Sequence, residues 1–289
     1  PGVIAGGITQ INIVIGTMIA TLQAGAVSYL YYADRLYQLP LGIVGVAIGV
    51  VLLPELSRKV RAGEHATAMD SQNRSLEVAL LLTIPAAAAL AIAAEPIIRV
   101  LFERGAFTAV DTAATAPALA AFAIGLPAFV LIKVFQPAFF AREDTKTPMR
   151  YAAVNMLVNV IGSLALFFTF KEMGRPPHVG IALATSIAGW VNAVLLWATL
   201  RHRGDFVADR RLLRNLPIIT AASLAMGAAL WFAIPQLAPY FRAEAILPVQ
   251  ALALVAIVTL GLFVFFGLTL ATGVLDLRRV VGMARRRTV

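Results

Sequence analysis

The sequence predicts an all-α, polytopic transmembrane helical bundle with eight spans. Of its 289 residues, 60% are hydrophobic and only 13% are charged, and the mean hydropathy is +0.84. The apolar residues form blocks of about twenty, the length that a helix needs to cross the hydrocarbon core of a bilayer. The blocks lack the alternation of apolar and polar residues that barrel strands show, so helices are the remaining way to pair the backbone within lipid.

Each apolar block is followed by a short segment that holds most of the nearby charges and turn-forming residues. The eight predicted spans are Val3–Leu22, Val27–Leu53, Leu76–Ile98, Thr112–Phe140, Tyr151–Phe170, Val179–Leu200, Leu216–Ile234 and Leu247–Val274.

The basic residues between the blocks predict the orientation in the membrane. One side of the predicted bundle carries 17 of the 24 basic residues and the other side carries five, while Arg35 and Lys133 fall inside spans. Because Lys and Arg accumulate in cytoplasmic loops, the richer side is predicted to be cytoplasmic, as are both ends of the chain. The 17 are Arg58, Lys59, Arg61, Arg74, Arg142, Lys146, Arg150, Arg201, Arg203, Arg210, Arg211, Arg214, Arg278, Arg279, Arg285, Arg286 and Arg287.

Composition argues against several other classes of protein. The net charge of +9 does not indicate nucleic-acid binding, because the basic residues lie between apolar blocks and not on one soluble face. The chain has no cysteine, and its three histidines lie in predicted connecting segments without ligand spacing. No carboxylates form an acid/base pair or an aspartate-rich metal motif. We therefore expect neither an enzyme nor a cofactor. The chain starts at Pro1 inside an apolar run, which favours a piece of a longer protein.

The predicted helices contain several prolines and glycines. Span four carries Pro117, Pro127 and Pro137, which remove backbone donors and promote kinks. In span two, Pro40 accompanies a glycine series that permits close helix packing, at positions 42, 45 and 49. Ordinary kinked packing explains any one proline, whereas together they are typical of a transporter whose helices bend between states.

The Asp34-Arg35 pair lies about 12 Å inside span two, at 1.5 Å per residue. An arginine at such depth is costly to insert and should face protein or a water-filled cavity. Polar and small residues three, four, seven or fourteen positions away form one stripe beside the pair: Ser28, Tyr31, Tyr32, Gln38, Gly42 and Gly49. Arg35 therefore either faces an anionic, phosphate-bearing ligand or partners another buried group and fixes helix packing.

Three further polar positions leave alternatives open. Lys133 in span four either snorkels to the cytoplasmic interface or faces a cavity. Asn155 and Asn159 in span five, like Asn12 in span one, are predicted to make interhelical hydrogen bonds. A cation site for ion coupling is the other reading of the two asparagines in span five, although neither supplies a carboxylate.

Three stretches resemble the MurJ (MviN) lipid II flippase family. They are residues 31–42 (YYADRLYQLPLG) continuing to residues 52–57 (LLPELS), residues 101–108 (LFERGAFT), and Lys133 through residues 141–148 (AREDTKTP). The resemblance covers essentially the whole chain. It implies the fourteen-span, two-lobed fold of the multidrug/oligosaccharidyl-lipid/polysaccharide exporter superfamily, of which this chain would be spans seven to fourteen.

The resemblance also implies a function and a set of site residues. The complete protein would flip undecaprenyl-diphosphate-linked disaccharide-pentapeptide across the cytoplasmic membrane for peptidoglycan assembly, and the missing N-terminal lobe would supply further arginines. The substrate-binding residues would be Arg35, Asp34, Lys133 and Tyr32. Residues 1–200 would form a six-span lobe lining the cavity, and residues 201–289 would form two spans with a lipid-tail groove and a basic cytoplasmic tail. A multidrug or polysaccharide-lipid exporter of the same superfamily is the alternative.

Overall fold

The apolar blocks are α-helices in the structure, a computed structural model that describes residues 2–241 and 246–274. All regular structure in these residues is helical, and the prediction of an all-α, polytopic membrane bundle is confirmed. The nine α-helices are α1 (Gly2–Ala20), α2 (Ala26–Arg61), α3 (His65–Ile92), α4 (Ala94–Phe102), α5 (Ala109–Phe140), α6 (Lys146–Glu172), α7 (Pro177–His202), α8 (Arg210–Leu237) and α9 (Leu247–Ala271).

Seven of these helices are long and apolar enough to cross a membrane, namely α2, α3 and α5 to α9. The first predicted span coincides with α1, a helix of 19 residues that is not among the seven. The number of eight spans is therefore confirmed in part. Arg242 and the five arginines of the C-terminal tail, which entered the orientation count, lie outside the described residues.

The third predicted span is not one helix, and this corrects the prediction of an unbroken Leu76–Ile98 segment. Helix α3 ends at Ile92, Ala93 has φ −95° and ψ 18°, and the short α4 follows. Pro96 explains the break. It has no amide hydrogen to donate to the carbonyl of Ile92, and its ring clashes with that carbonyl in a continuous helix.

Helices α2 and α3 continue past the predicted apolar boundaries into a polar hairpin. Lys59 Nζ lies 2.6 Å from Glu55 Oε1 one turn earlier on α2, and Ser71 of α3 donates to the same carboxylate at 2.7 Å. Gly63 makes the turn with φ 76°, a left-handed conformation that favours glycine. The hairpin is helical because side-chain pairs stabilise it where apolar burial ends.

Helix α5 is the central helix of the bundle, with 72% of its most apolar stretch buried. It packs against α2, α3 and α7 in one hydrophobic core. The crossing of α5 and α7 depends on small residues, because a Cβ added at Gly125 would lie only 2.9 Å from Ser186 Cα. Ser186 also donates to the carbonyl of Ala121 at 2.7 Å, so its hydroxyl is satisfied inside the bundle.

A second core joins the C-terminal helices to α3 and α4. It includes Ile219, Met226 and Leu230 of α8 and Ile257 and Phe265 of α9. Among the described residues, α3, α4 and the first turns of α8 take part in both this core and the α5-centred core. Helices α8 and α9 thus attach to the rest of the chain along one side.

Candidate functional site

Arg35 on α2 is exposed and has a single described contact. Its guanidinium carbon lies 4.8 Å from the centroid of the Tyr31 ring, one turn earlier on the same helix. Within residues 2–241 and 246–274, Arg35 forms no ion pair. Among the described residues, the guanidinium thus lies on an aromatic face, and the adjacent Asp34 acts on it through space without a salt bridge.

Asp34 is half-buried beside Arg35 but is engaged elsewhere. Gln38, one turn further along α2, donates its side-chain amide to Asp34 Oδ2. Adjacent residues on a helix point about 100° apart, so Asp34 and Arg35 project in different directions. The two side chains therefore form no salt bridge, although their charges still attract each other through space.

The glycines of the predicted stripe lie mostly in open space. No atom lies within 4 Å of a Cβ built on Gly42 or Gly49, whereas a Cβ on Gly45 would lie 3.4 Å from Lys133 Cγ. Within the described part of the chain, the predicted close packing is seen at Gly45, while Gly42 and Gly49 have no neighbouring helix against them. Together with the exposed Gln38 and Arg35, they form an uncovered surface of α2.

Tyr32 belongs to an aromatic cluster that also contains Phe102 and Phe107. The Tyr32 ring centroid lies 4.8 Å from that of Phe102 and 5.0 Å from that of Phe107, and the second pair is edge-to-face. Both phenylalanines come from the 101–108 motif that connects α4 to α5. In this chain the Tyr32 ring packs α2 against that connection.

Lys133 of α5 lies beside Gly45 of α2. Helices α2 and α5 run parallel, because Tyr37 stacks on Phe122 at 5.6 Å and the Lys133 stem lies beside Gly45. Ten residues separate Arg35 from Gly45, so the two cations lie about 15 Å apart along the helix axis. Lys133 is exposed, and it makes no ion pair within the described residues.

The polar residues of α1, α6 and α7 meet as predicted for interhelical hydrogen bonding. Asn159 donates to Asn12 Oδ1 at 2.9 Å and accepts from Thr185 at 3.1 Å, so it joins three helices. The neighbouring Asn155 has a buried side-chain oxygen without a described partner. The described residues contain no group of three or more His, Cys, Asp or Glu side chains placed to hold a metal ion.

An ionic cluster centred on the buried Glu77 lies at the junction of α3 and α8 and was not anticipated. Glu77 is 5% exposed and accepts from Arg74, from Arg211 at 3.1 Å and from Asn215 at 2.5 Å. Arg74 also contacts Asp209, whose carboxylate caps α8 by accepting from the Leu212 amide at 2.7 Å. The only signals in the sequence were local ones on α3, the spacings of Arg74 to Asp70 and to Glu77, since the other partners are more than 130 residues away.

His178 was assigned to a connecting segment and is instead buried in the first turn of α7. Its ring nitrogens lie 2.8 Å from the Ala114 carbonyl oxygen and 3.0 Å from the Gln23 side-chain nitrogen. Its amide donates to Gln23 Oε1 at 3.0 Å. The residue thus connects the α1–α2 turn to α5 and α7, which is a structural role.

The loop between α5 and α6 is held against the α7–α8 loop by two ion pairs. Arg142 contacts Asp205 at 2.9 Å and Arg203 contacts Asp144 at 2.8 Å. Partial burial of Asp144 acts against its ionisation. Hydrogen bonds from the Thr147 hydroxyl and amide, together with Arg203, outweigh this and lower the pKa of Asp144 to about 2.

An apolar cavity of about 200 Å³ lies between α3 and the α8–α9 pair. Pro85 and Ala89 of α3, Met226 of α8, and Gly261 and Phe265 of α9 line it. The cavity is smaller than most ligand pockets, which are about 300–1,000 Å³, and it could hold only a segment of a long hydrocarbon chain.

The comparisons with known proteins agree with one another. The family model described as "Lipid II flippase MurJ" matches residues 1–252. The chain is 48% identical over 273 residues to a probable lipid II flippase MurJ of Rhizobium meliloti (strain 1021), covering 94% of this chain and 50% of the relative. It is 46% identical to the Rhizobium tropici counterpart over 286 residues, covering 99% of this chain and 52% of the relative.

The similar solved structures are transporters of the same general fold. A lipid II flippase MurJ in an inward closed conformation matches with a TM-score of 0.73 at 28% identity, covering 91% of this chain and 50% of that one. An outward-facing multidrug-resistance transporter of the MATE family matches with a TM-score of 0.59 at 15% identity, covering 91% of this chain and 62% of that one. The second likeness shows the fold alone. The chain spans about half the length of the curated relatives it matches.

Proposed function

The chain belongs to the lipid II flippase MurJ family, and from this membership we propose that it is the C-terminal lobe of a complete lipid II flippase. In that protein, α1 would serve as the first of eight spans of this lobe, both ends of the lobe would be cytoplasmic, and the bundle would reside in the bacterial inner membrane. The family is one of transporters, in agreement with the expectation that the chain is not an enzyme.

The observation that carries the proposal is the charge of Arg35. An arginine within an apolar span is costly unless a partner or water compensates it. Among the described residues it contacts a ring and forms no salt bridge, so the hydrogen-bond donors of the charged guanidinium are free for a ligand. A lipid-linked diphosphate supplies the matching anion, since a planar guanidinium pairs with phosphate oxygens through two parallel hydrogen bonds.

Lys133 would bind the same diphosphate at another stage of the transport cycle. Its position about 15 Å from Arg35 along the axis is too far for one diphosphate to contact both side chains directly. Two cations at different depths could bind the anion in succession as it crosses. Asp34, held by Gln38, would limit how tightly the anion is retained near Arg35.

The hydrocarbon tail of the substrate would occupy the side of the lobe formed by α8 and α9. The apolar cavity between α3 and these helices supports this division of roles between residues 1–200 and residues 201–289. Because the cavity holds only a segment of a polyprenyl chain, most of the tail would remain in the lipid. The headgroup would then cross through the cationic surface of α2 and α5 while the tail stays at the side.

A second lobe is required for alternating access. The uncovered surface of α2, with its open glycines and free cation, would face that lobe across the transport cavity. The relatives are about twice as long as this chain, which supports a partner lobe within the same polypeptide. The multidrug or polysaccharide exporter alternative has only the shared fold in its favour, at 15% identity to the multidrug transporter.

The test is to replace Arg35 by Ala in the complete protein and to measure lipid II flipping in vesicles. We expect a loss of at least tenfold, because a charge-assisted bidentate hydrogen bond to phosphate contributes roughly 1.5–3 kcal/mol. Arg150→Ala is the matched control, since Arg150 is exposed and lies at the start of α6, away from the proposed site. Flipping by Arg35→Ala equal to that of Arg150→Ala would refute the role of Arg35.

A further inference from the structure

The Tyr31 ring contacts the Arg35 guanidinium, and packing in the hydrophobic core does not explain the presence of Tyr31 at this position. Tyr31 is 53% exposed, so it contributes little to the core. Its ring nevertheless lies 4.8 Å from the guanidinium carbon of Arg35, within the range of a cation–π interaction. The spacing of four residues places both side chains on one face of α2.

The chemistry of this contact differs from that of an ion pair. A carboxylate would accept hydrogen bonds from the edge of the guanidinium and neutralise its charge. An aromatic ring instead contacts the guanidinium face, so the in-plane N–H groups and the positive charge stay available. A site that must take up and release a phosphate benefits from this kind of support.

The surroundings of Tyr31 fix its ring in turn. Tyr31 meets the Tyr32 ring edge-to-face with centroids 5.9 Å apart. Tyr32 is packed against Phe102 and Phe107 in the α4–α5 connection. The nearest carboxylate in sequence, Asp34, is bound by Gln38 and projects about 100° away from Arg35.

We propose that Tyr31 is a positioning residue that holds the Arg35 guanidinium ready for a diphosphate, and thereby favours diphosphate-linked lipids over uncharged polyprenyl lipids. The inference rests on the proposed function of Arg35 and adds the residue that orients it. Loss of the ring should weaken diphosphate binding by about two- to fivefold, the range expected for a cation–π contact at an exposed site. The Tyr31 hydroxyl is not required for the contact, so phenylalanine should replace tyrosine.

The experiment uses the purified complete protein and measures the Kd for undecaprenyl diphosphate and for undecaprenol, which lacks the phosphates. Tyr31→Leu should raise the Kd for the diphosphate two- to fivefold, Tyr31→Phe should restore the native value, and undecaprenol binding should not change. Tyr240→Leu is the matched control, because Tyr240 is 51% exposed and lies outside the proposed site. Thermal unfolding of each variant checks that the fold is kept.

Measurements in the Arg35→Ala background separate the positioning role of Tyr31 from the diphosphate-binding role of Arg35. If Tyr31 acts through Arg35, Tyr31→Leu causes no further loss once Arg35 is absent. An equal loss in that background, a parallel loss for undecaprenol, or native diphosphate binding by Tyr31→Leu would overturn the positioning role while leaving Arg35 in place. If Arg35→Ala itself binds the diphosphate normally, the proposed function fails and the role of Tyr31 fails with it.

Discussion

Replacement of Glu77 by Gln should destabilise the packing of α8 on α3. The Glu77 side chain is 7% exposed and accepts from Arg74, Arg211 and Asn215. Removal of its charge leaves two arginines without this counter-ion and weakens three charge-assisted hydrogen bonds.

The magnitude follows from the exposure of the partners. Loss of one partner from a fully buried ion pair costs about 3–5 kcal/mol. The arginine side chains here are 28% and 47% exposed, so water partly compensates them after the substitution. We therefore expect a loss of about 2–3 kcal/mol in the free energy of unfolding, below the fully buried range.

The assay is denaturant or thermal unfolding of the complete protein in detergent, with Glu95→Gln as the matched control. Glu95 also pairs with an arginine one turn away, at 2.7 Å from Arg99, but its side chain is 57% exposed. Its loss should cost less than about 1 kcal/mol. Hydrogen exchange should rise at the start of α8 in the Glu77 variant only. Equal stability of the two variants would refute the structural importance of the buried cluster.

Two further predictions concern helix packing and pH. Gly180→Ala should destabilise the protein, because the added Cβ would lie 2.7 Å from the Leu166 backbone, whereas Gly267→Ala in open space should be neutral or stabilising by up to about 1 kcal/mol of helix propensity. Unfolding of the two variants side by side checks this, and equal destabilisation would contradict it. The lowered pKa of Asp144 means that its contribution to stability is complete above its ordinary value of 3.8 and is lost as pH falls towards 2. Asp144→Asn should remove that part of the pH dependence, and Arg203→Gln should reduce it. Unfolding measured across this pH range checks both variants, and an unchanged dependence of stability on pH in Asp144→Asn would contradict the prediction.

The helices could be predicted from the sequence because their signal is local. Blocks of apolar residues of spanning length identify the membrane helices, and seven of them are confirmed. Pro96 is a local signal for the break before α4. Hydropathy alone does not show this break, because apolar residues continue on both sides of it. The polar extension of α2 and α3 was missed for the opposite reason, since its helical state rests on side-chain pairs.

In the candidate site, too, contacts between neighbours on one helix could be predicted from the sequence, whereas contacts between distant helices could not. Arg35 and Tyr31 lie one turn apart, so their proximity could be derived from helix geometry alone. The contacts of Glu77 join positions 134 and 138 residues apart, and those of Lys133 depend on the register of two parallel helices. One sequence carries no information on such pairings, because they follow from which helices pack together and at what height.

The charges of the proposed site support the proposed second lobe independently of chain length. Arg35, Lys133 and Asp34 are the charged residues of the proposed site on α2 and α5, and together they leave one net positive charge. A diphosphate diester is anionic at both of its phosphates, so this surface cannot neutralise it. Burial of an uncompensated anion is costly, so under the proposed function the remaining positive charge comes from groups other than these three, which the proposed second lobe would supply. The lobe alone should therefore bind a polyprenyl diphosphate more weakly than the complete protein. The difference between them should shrink at high salt, where the Coulomb attraction is screened. Equal affinity of lobe and complete protein at low salt would mean that these residues are the whole binding site, and that the cationic surface does not require a partner.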